Sequence, residues 1–257
     1  MNYFFGFKNE SFYSELTIPK FRNRDKKQNK SQLLYSANAN NGKWFIKKIN
    51  CQENDNFYFL KQKDIKEDIF FFLATMKEIE NFYKTDQKKL INFNSYSDTW
   101  PAFRSNLRIM NQQGGFSSYQ SEYPYSMSTK KGSIISSVDL LLNKNAEKNF
   151  ILFVNIFVEP LKEKFDIFLI NLKKKIKLKK FVGVTNQTNF IEISKEHIHQ
   201  DIYIFTKDFI GIPIFLSEKN YNISFEHTQP PHEYLIGKDK FAKVKQLKEK
   251  ANEIIYS

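Results

Sequence analysis

Between residues 150 and 227 the apolar positions come in short runs separated by Lys, Asn, Gly or Pro. The runs lie at 150–158, 165–172, 175–184, 189–194, 201–209, 211–217 and 221–227 and are rich in Ile, Phe, Val and Tyr. Runs of that length and composition at regular spacing predict strands joined by short turns. No helical pattern separates them, so an antiparallel sheet or sandwich fits better than a parallel α/β arrangement. Several runs are apolar on both faces, which predicts strands covered on both sides.

Two stretches carry helical spacing. Near 65–83, Ile65, Ile69, Phe72, Leu73, Met76, Ile79 and Tyr83 recur at three- and four-residue intervals, with Asp64 and Glu67 as a capping-box start. Near 240–255, Phe241, Val244, Leu247, Ala251, Ile254 and Ile255 share one face, with Asp239 as N-cap. A short helix is expected at 138–148. The predicted class is α+β: a mainly antiparallel sheet or sandwich over about 150–227, flanked by amphipathic helices near 65–83 and 240–255. A single domain over 1–257 is expected, with polar loops near 22–42 and a long irregular segment at 95–132. The stretch 37–42, Ala-Asn-Ala-Asn-Asn-Gly, reads as a turn into a strand beginning near Lys43.

Composition supports a folded chain: 41% of its 257 residues are hydrophobic, with 27 Phe and 13 Tyr, enough for a sizeable core. The formal charge of +12 suggests a polyanion partner. Yet the cations are 36 Lys and only 4 Arg, beside abundant Asn, Ile and Phe. That joint bias is what AT-rich coding imposes, so much of the charge is expected on solvated surface. Arg, the better reader of phosphate and guanine, is scarce. The single cysteine, Cys51, excludes an intramolecular disulfide and a cysteine zinc site. With no leader-like start and no long apolar run, a cytoplasmic protein without a membrane span is expected.

Against that background, clusters of rare residues stand out. The first is 100–132, with Trp100, Arg104, Arg108, Gly114, Gly115 and Tyr119. Arg104 and Arg108 are four apart and would share a face of a helical turn, where they suit a carboxylate or phosphate. Gly114 and Gly115 would let backbone N–H groups approach an anion, with Tyr119 nearby. The second cluster is 211–237, where Glu226 and His227 end a strand before the Pro230–Pro231 pair and His232 follows. A carboxylate and imidazoles suit proton transfer, although neighbouring strand residues point to opposite faces. His197 and His199 would share one face of a strand in the geometry of a metal-binding pair, but no metal site is assigned. Lys173, Lys175, Lys177 and Lys179 would line one strand face as a polyanion track or, more simply, guard a sheet edge.

These features favour an intracellular enzyme acting on a small polar or anionic substrate, a sugar or phosphorylated metabolite. Arg104, Arg108, Gly114, Gly115 and Tyr119 would bind it, and Glu226, His227 and His232 would move protons. The alternatives are a nucleic-acid or polyanion-binding module and a noncatalytic assembly protein. No motif specifies a cofactor or an oligomeric state.

Overall fold

The computed structural model describes residues 2–20, 32–93, 104–227 and 237–256. Its architecture is α+β and mainly antiparallel. The chain divides into two compact units. The first holds Met1–Thr129, Ile156–Lys162 and Asn186–Thr188; the second holds Lys130–Asn155, Glu163–Thr185 and Asn189–Ser257.

The first unit carries two five-stranded sheets. One contains β1 (Asn2–Phe5), β3 (Gln32–Asn40), β4 (Lys43–Lys48), β7 (Ile69–Thr75) and β10 (Tyr123–Pro124), in the order β10-β1-β7-β3-β4. The other contains β2 (Phe12–Pro19), β5 (Gln52–Glu53), β6 (Phe57–Leu60), β8 (Asn106–Asn111) and β9 (Phe116–Gln120), in the order β5-β6-β2-β8-β9. The turn expected at 37–42 is a two-residue hairpin turn between β3 and β4, with Asn41 at φ 49° and Gly42 at φ 68°. Positive φ at both central residues is what such a turn requires, and Asn-Gly supplies it cheaply. The polar loop expected at 22–42 is thereby corrected over 32–40, which is β3; residues 22–31 lie outside the described residues.

The helix expected at 65–83 is corrected as well. Residues 69–75 form β7, the central strand of its sheet, and only α1 (Met76–Tyr83) is helical. Phe70, Phe71, Phe72, Leu73 and Ala74 are all buried, because both faces of a central strand are covered. A continuous apolar run carries no period to separate strand from helix. The helix starts at Thr75, whose Oγ1 accepts from Glu78 N at 3.3 Å while the Glu78 carboxylate accepts from Thr75 N at 2.8 Å. Asp64, expected in the capping box, instead closes a single 3-10 turn at Gln62–Asp64.

The second unit carries two four-stranded sheets. The first contains β11 (Ile134–Ser137), β13 (Lys164–Asn171), β14 (Ile176–Val184) and β16 (Ile202–Thr206), in the order β11-β16-β13-β14. The second contains β12 (Lys148–Asn155), β15 (Gln187–Glu192, in this unit from Asn189 on), β17 (Ile212–Lys219) and β18 (Asn222–His227), in the order β15-β12-β17-β18. All seven runs expected at 150–227 contain a strand. Phe153 of β12 meets Phe165 of β13 at 5.9 Å between ring centroids, joining the two sheets.

After the short helical turn α2 (Tyr125–Ser128), the remaining α-helix among the described residues is α3 (Lys240–Tyr256), close to its expected bounds. Asp239 O accepts from Lys243 N at 3.0 Å, the position of an N-cap residue. Ala251 and Ile254 pack on Ile135, Phe168, Ile170 and Phe205, while Phe241, expected on the same face, is exposed. The short helix expected at 138–148 is absent: the chain there makes successive turns with one helical bond, Leu142 N to Val138 O at 3.3 Å. Asn143 N is taken by Ser217 Oγ and Asn145 N by Asn143 Oδ1, so side chains divert the donors that a helix needs.

The lysine track is broken too. Lys173 to Lys175 form the β13–β14 turn, and a bulge pairs Leu169 with Lys179 but Ile170 with Lys177. Leu178 is the extra residue, so Lys177 and Lys179 fall on opposite faces. β14 is a sheet edge, where lysines discourage further strand pairing.

Buried tyrosines give the first unit a pH dependence. Burial, then the charges of Glu53, Cys51 and Tyr35, raise the Tyr58 phenol to about 12. Burial likewise raises Tyr3 and Tyr123. A folded value above the unfolded one, about 10, means this stability is intact below pH 10 and lost as pH rises toward 12. The melting temperature is expected to fall steeply above pH 10, with phenolate absorbance rising as the protein unfolds. Complete tyrosine ionisation while the protein stays folded would show the buried phenols to be accessible.

Candidate functional site

The β8–β9 hairpin builds the site. Its strands alternate: Leu107 and Ile109 are buried, while Asn106 and Arg108 face outward. Thr17 of β2, Asn106 of β8 and Gln120 of β9 stand in one cross-strand row; Glu15, Arg108 and Ser118 form the next. Directly opposed residues of antiparallel neighbours lie on one face of the sheet.

Arg104 stands two residues before β8, and its Nη1 donates to Gln120 Oε1. Ser105 is buried, at 1% exposure, and its backbone N donates to Glu122 Oε1 at 3.2 Å. Its hydroxyl has no hydrogen-bond partner among the described residues. Arg104 and Ser105 line a cavity of about 520 Å³ together with Thr17, Asn106, Ser118 and Gln120. Phe57 and Tyr119 add aromatic wall. Arg104 is the one charged residue among the described residues lining it. Hydroxyls, carboxamides and a guanidinium beside two rings suit a polar ligand with a negative group.

The candidates from sequence are not all gathered there. Arg104 and Tyr119 line the cavity. The helical turn expected to align Arg104 with Arg108 is corrected: Arg108 is a β8 strand residue. Its guanidinium lies 4.2 Å from the Phe116 ring centroid and opposite Glu15 in the register, whose carboxylate pairs with Lys61 at 3.0 Å. The irregular segment expected at 95–132 is corrected over this hairpin, while 94–103, including Trp100, lies outside the described residues. Gly114 and Gly115 form the hairpin's far turn. Gly114 N donates to Asn111 O at 3.1 Å, and Gly115 O accepts from Asn111 N at 2.8 Å. The six-residue strand between puts them roughly 17 Å along the hairpin from Asn106.

Glu226 and His227 belong to the second unit, at the end of β18. Glu226 is exposed opposite Phe215, and His227 is half-buried opposite Ile214 on the side of buried Phe225. They point to opposite faces, as expected of strand neighbours. His232 lies outside the described residues, with Pro230 and Pro231.

His197 closes a 3-10 turn (Lys195–His197) and His199 follows in a turn, with buried Ile198 between them. The strand geometry expected of a metal-binding pair is therefore not formed. Among the described residues no three His, Cys, Asp or Glu side chains are grouped to hold a metal ion. Burial pushes the Cys51 thiol up, which disfavours the thiolate that nucleophilic attack requires. No helix among the described residues is long and apolar enough to cross a membrane.

Sequence inspection missed Thr17, Phe57, Ser105, Asn106 and Gln120. The available signal was the alternation in Asn106–Asn111 and Phe116–Gln120 around a Gln-Gln-Gly-Gly turn, which reads as a hairpin. Comparison of the chain with family models, curated proteins and solved structures finds no match.

Proposed function

We propose that the chain binds a small polar or anionic compound, a sugar or phosphorylated metabolite, in the Arg104 cavity. One observation carries this: Arg104 and Ser105 line the same hollow, and the buried Ser105 hydroxyl has no hydrogen-bond partner among the described residues. A buried hydroxyl without a partner costs about 1–3 kcal/mol, which a ligand atom at hydrogen-bonding distance would recover. The carboxamides of Asn106 and Gln120 would take ligand hydroxyls, and Phe57 and Tyr119 would flank its apolar face.

Calorimetric titration with a panel of sugar phosphates and sugars tests it. Arg104→Ala is expected to weaken binding of the best compound about 30-fold, near the 2 kcal/mol of a charged hydrogen bond, with the melting temperature kept. Ser105→Ala is expected to weaken binding about fivefold without loss of stability. A panel in which nothing binds, or an Arg104→Ala protein that binds like the wild type, ends the proposal.

An enzyme acting on that compound is the larger form of the reading. Overnight incubation with the bound compound tests it: no chemical change leaves a binding protein. The lone Cys51 fits a reducing compartment such as the cytoplasm. The polyanion alternative is weakened by the β14 bulge, which splits its lysines between two faces.

A further inference from the structure

At one end of the sheet β11-β16-β13-β14 three loops converge, all within the second unit. They are the turns at 138–147, the β13–β14 turn at 172–175 and the segment 193–201. Backbone bonds hold them together: Val138 N donates to Ile202 O at 3.0 Å, and Leu172 N to Asp201 O at 2.9 Å. Asp201 adopts φ 67°, a left-handed conformation costly for a residue with a side chain and kept only where surroundings impose it.

Two hollows open there, of about 640 and 570 Å³, and His199 and Gln200 line both. The first also has Asp139, Asn143, Lys144 and Asn145. The second also has Asn171, Lys173, Lys174 and Asp201. Each hollow thus repeats one set of groups: ammonium, carboxamide and a single carboxylate. The ammonium groups are exposed. Asp139 is oriented by Ser137 Oγ, which donates to its Oδ1 at 2.6 Å. Asp201 and Asp139 both act on Tyr203: burial first, then their charges, raise its phenol above the ordinary value. Both carboxylates are therefore close enough to the Tyr203 phenol for their charges to act on it.

We propose that this end of the second unit binds a polyhydroxylated small molecule carrying an anionic group, such as phosphate, at each end. Lys144 would take one phosphate, and Lys173 with Lys174 the other. Asp139, Asp201 and the carboxamides would accept and donate to the hydroxyls between, across His199. A phosphate at both ends explains why the cations are duplicated, and a polyol middle explains why carboxylates lie among them. Among the described residues no aromatic side chain lines either hollow to stack a base, so a nucleic-acid strand fits less well. This site is separate from the Arg104 cavity and does not depend on it.

The test is calorimetric titration of the full chain at low salt with fructose 1,6-bisphosphate, fructose 6-phosphate and pyrophosphate. The bisphosphate is expected to bind at least tenfold more tightly than either other probe. Lys144→Ala, and separately Lys173→Ala with Lys174→Ala, are expected to reduce the bisphosphate to the monophosphate's affinity. His199→Ala should weaken both sugars. Equal affinity for the two sugars overturns the proposal, as does pyrophosphate binding as tightly as the bisphosphate. Bisphosphate affinity that survives the lysine variants but falls with Arg104→Ala assigns the binding to the first unit and also overturns it.

Discussion

Gly211→Ala is expected to lower stability by about 3 kcal/mol. A Cβ at this position would lie 2.3 Å from Cε1 and Cζ of Phe153 and 2.7 Å from the carbonyl oxygen of Val154. The carbonyl belongs to β12, whose Val154 is paired with Ile212 of β17, so the backbone has little room to retreat. Phe153 is fully buried and packed on Phe165, which packs in turn on Phe209. Moving that ring disturbs a close-packed interior, where added methyl groups typically cost about 1–3 kcal/mol. The melting temperature should drop by roughly 6–12 °C for a chain of this size. Phe153→Leu placed in the Gly211→Ala background should recover part of the loss, because it removes the ring atoms that clash. A melting temperature within a degree of wild type would mean that the close approach between β12 and Gly211 is not formed.

Asn186→Ala is expected to cost about as much, through hydrogen bonds rather than packing. Asn186 is fully buried at φ 56° and ties the segment Ile156–Lys162 into the first unit. Its Oδ1 accepts from Phe157 N at 2.7 Å, and its Nδ2 donates to Glu159 O at 2.7 Å and Leu161 O at 3.0 Å. Alanine leaves three backbone groups without their partner, at about 1 kcal/mol or more each. It also places a less tolerant residue in the left-handed region. Asn186→Gly should be milder by about 1 kcal/mol, since glycine relieves the conformational part alone. Urea denaturation of the three proteins gives the ranking, and hydrogen exchange at Phe157 N–H should accelerate in both variants. Equal stability of Asn186→Ala and wild type would show that the segment is held by other contacts.

The strands of the second unit were legible because each apolar run is bounded by Lys, Asn, Gly or Pro, and α3 because its apolar face is only a stripe. β7 was not legible: Phe70, Phe71 and Phe72 sit in a central strand where every side chain is covered, and no alternation survives. The turns at 138–147 have helix-forming leucines, but neighbouring side chains capture the backbone donors of Asn143 and Asn145. For the site, scarcity of arginine drew attention to Arg104, and Tyr119 came with it. Thr17, Asn106 and Gln120 are common polar residues that become a row only through the pairing of three strands. Thr17 is nearly ninety positions from Asn106, a separation that only strand register bridges. Gly114 and Gly115 misled in the opposite direction: a hairpin turn and an anion loop need the same permissive residues.

Amide chemical-shift mapping of the full chain, during titration with the best-bound sugar phosphate, tests the Arg104 cavity most directly. Shifts are predicted at Thr17, Ser105, Asn106 and Gln120, and those shifts vanish in Arg104→Ala. Shifts confined to the second unit, or unchanged by Arg104→Ala, would contradict it.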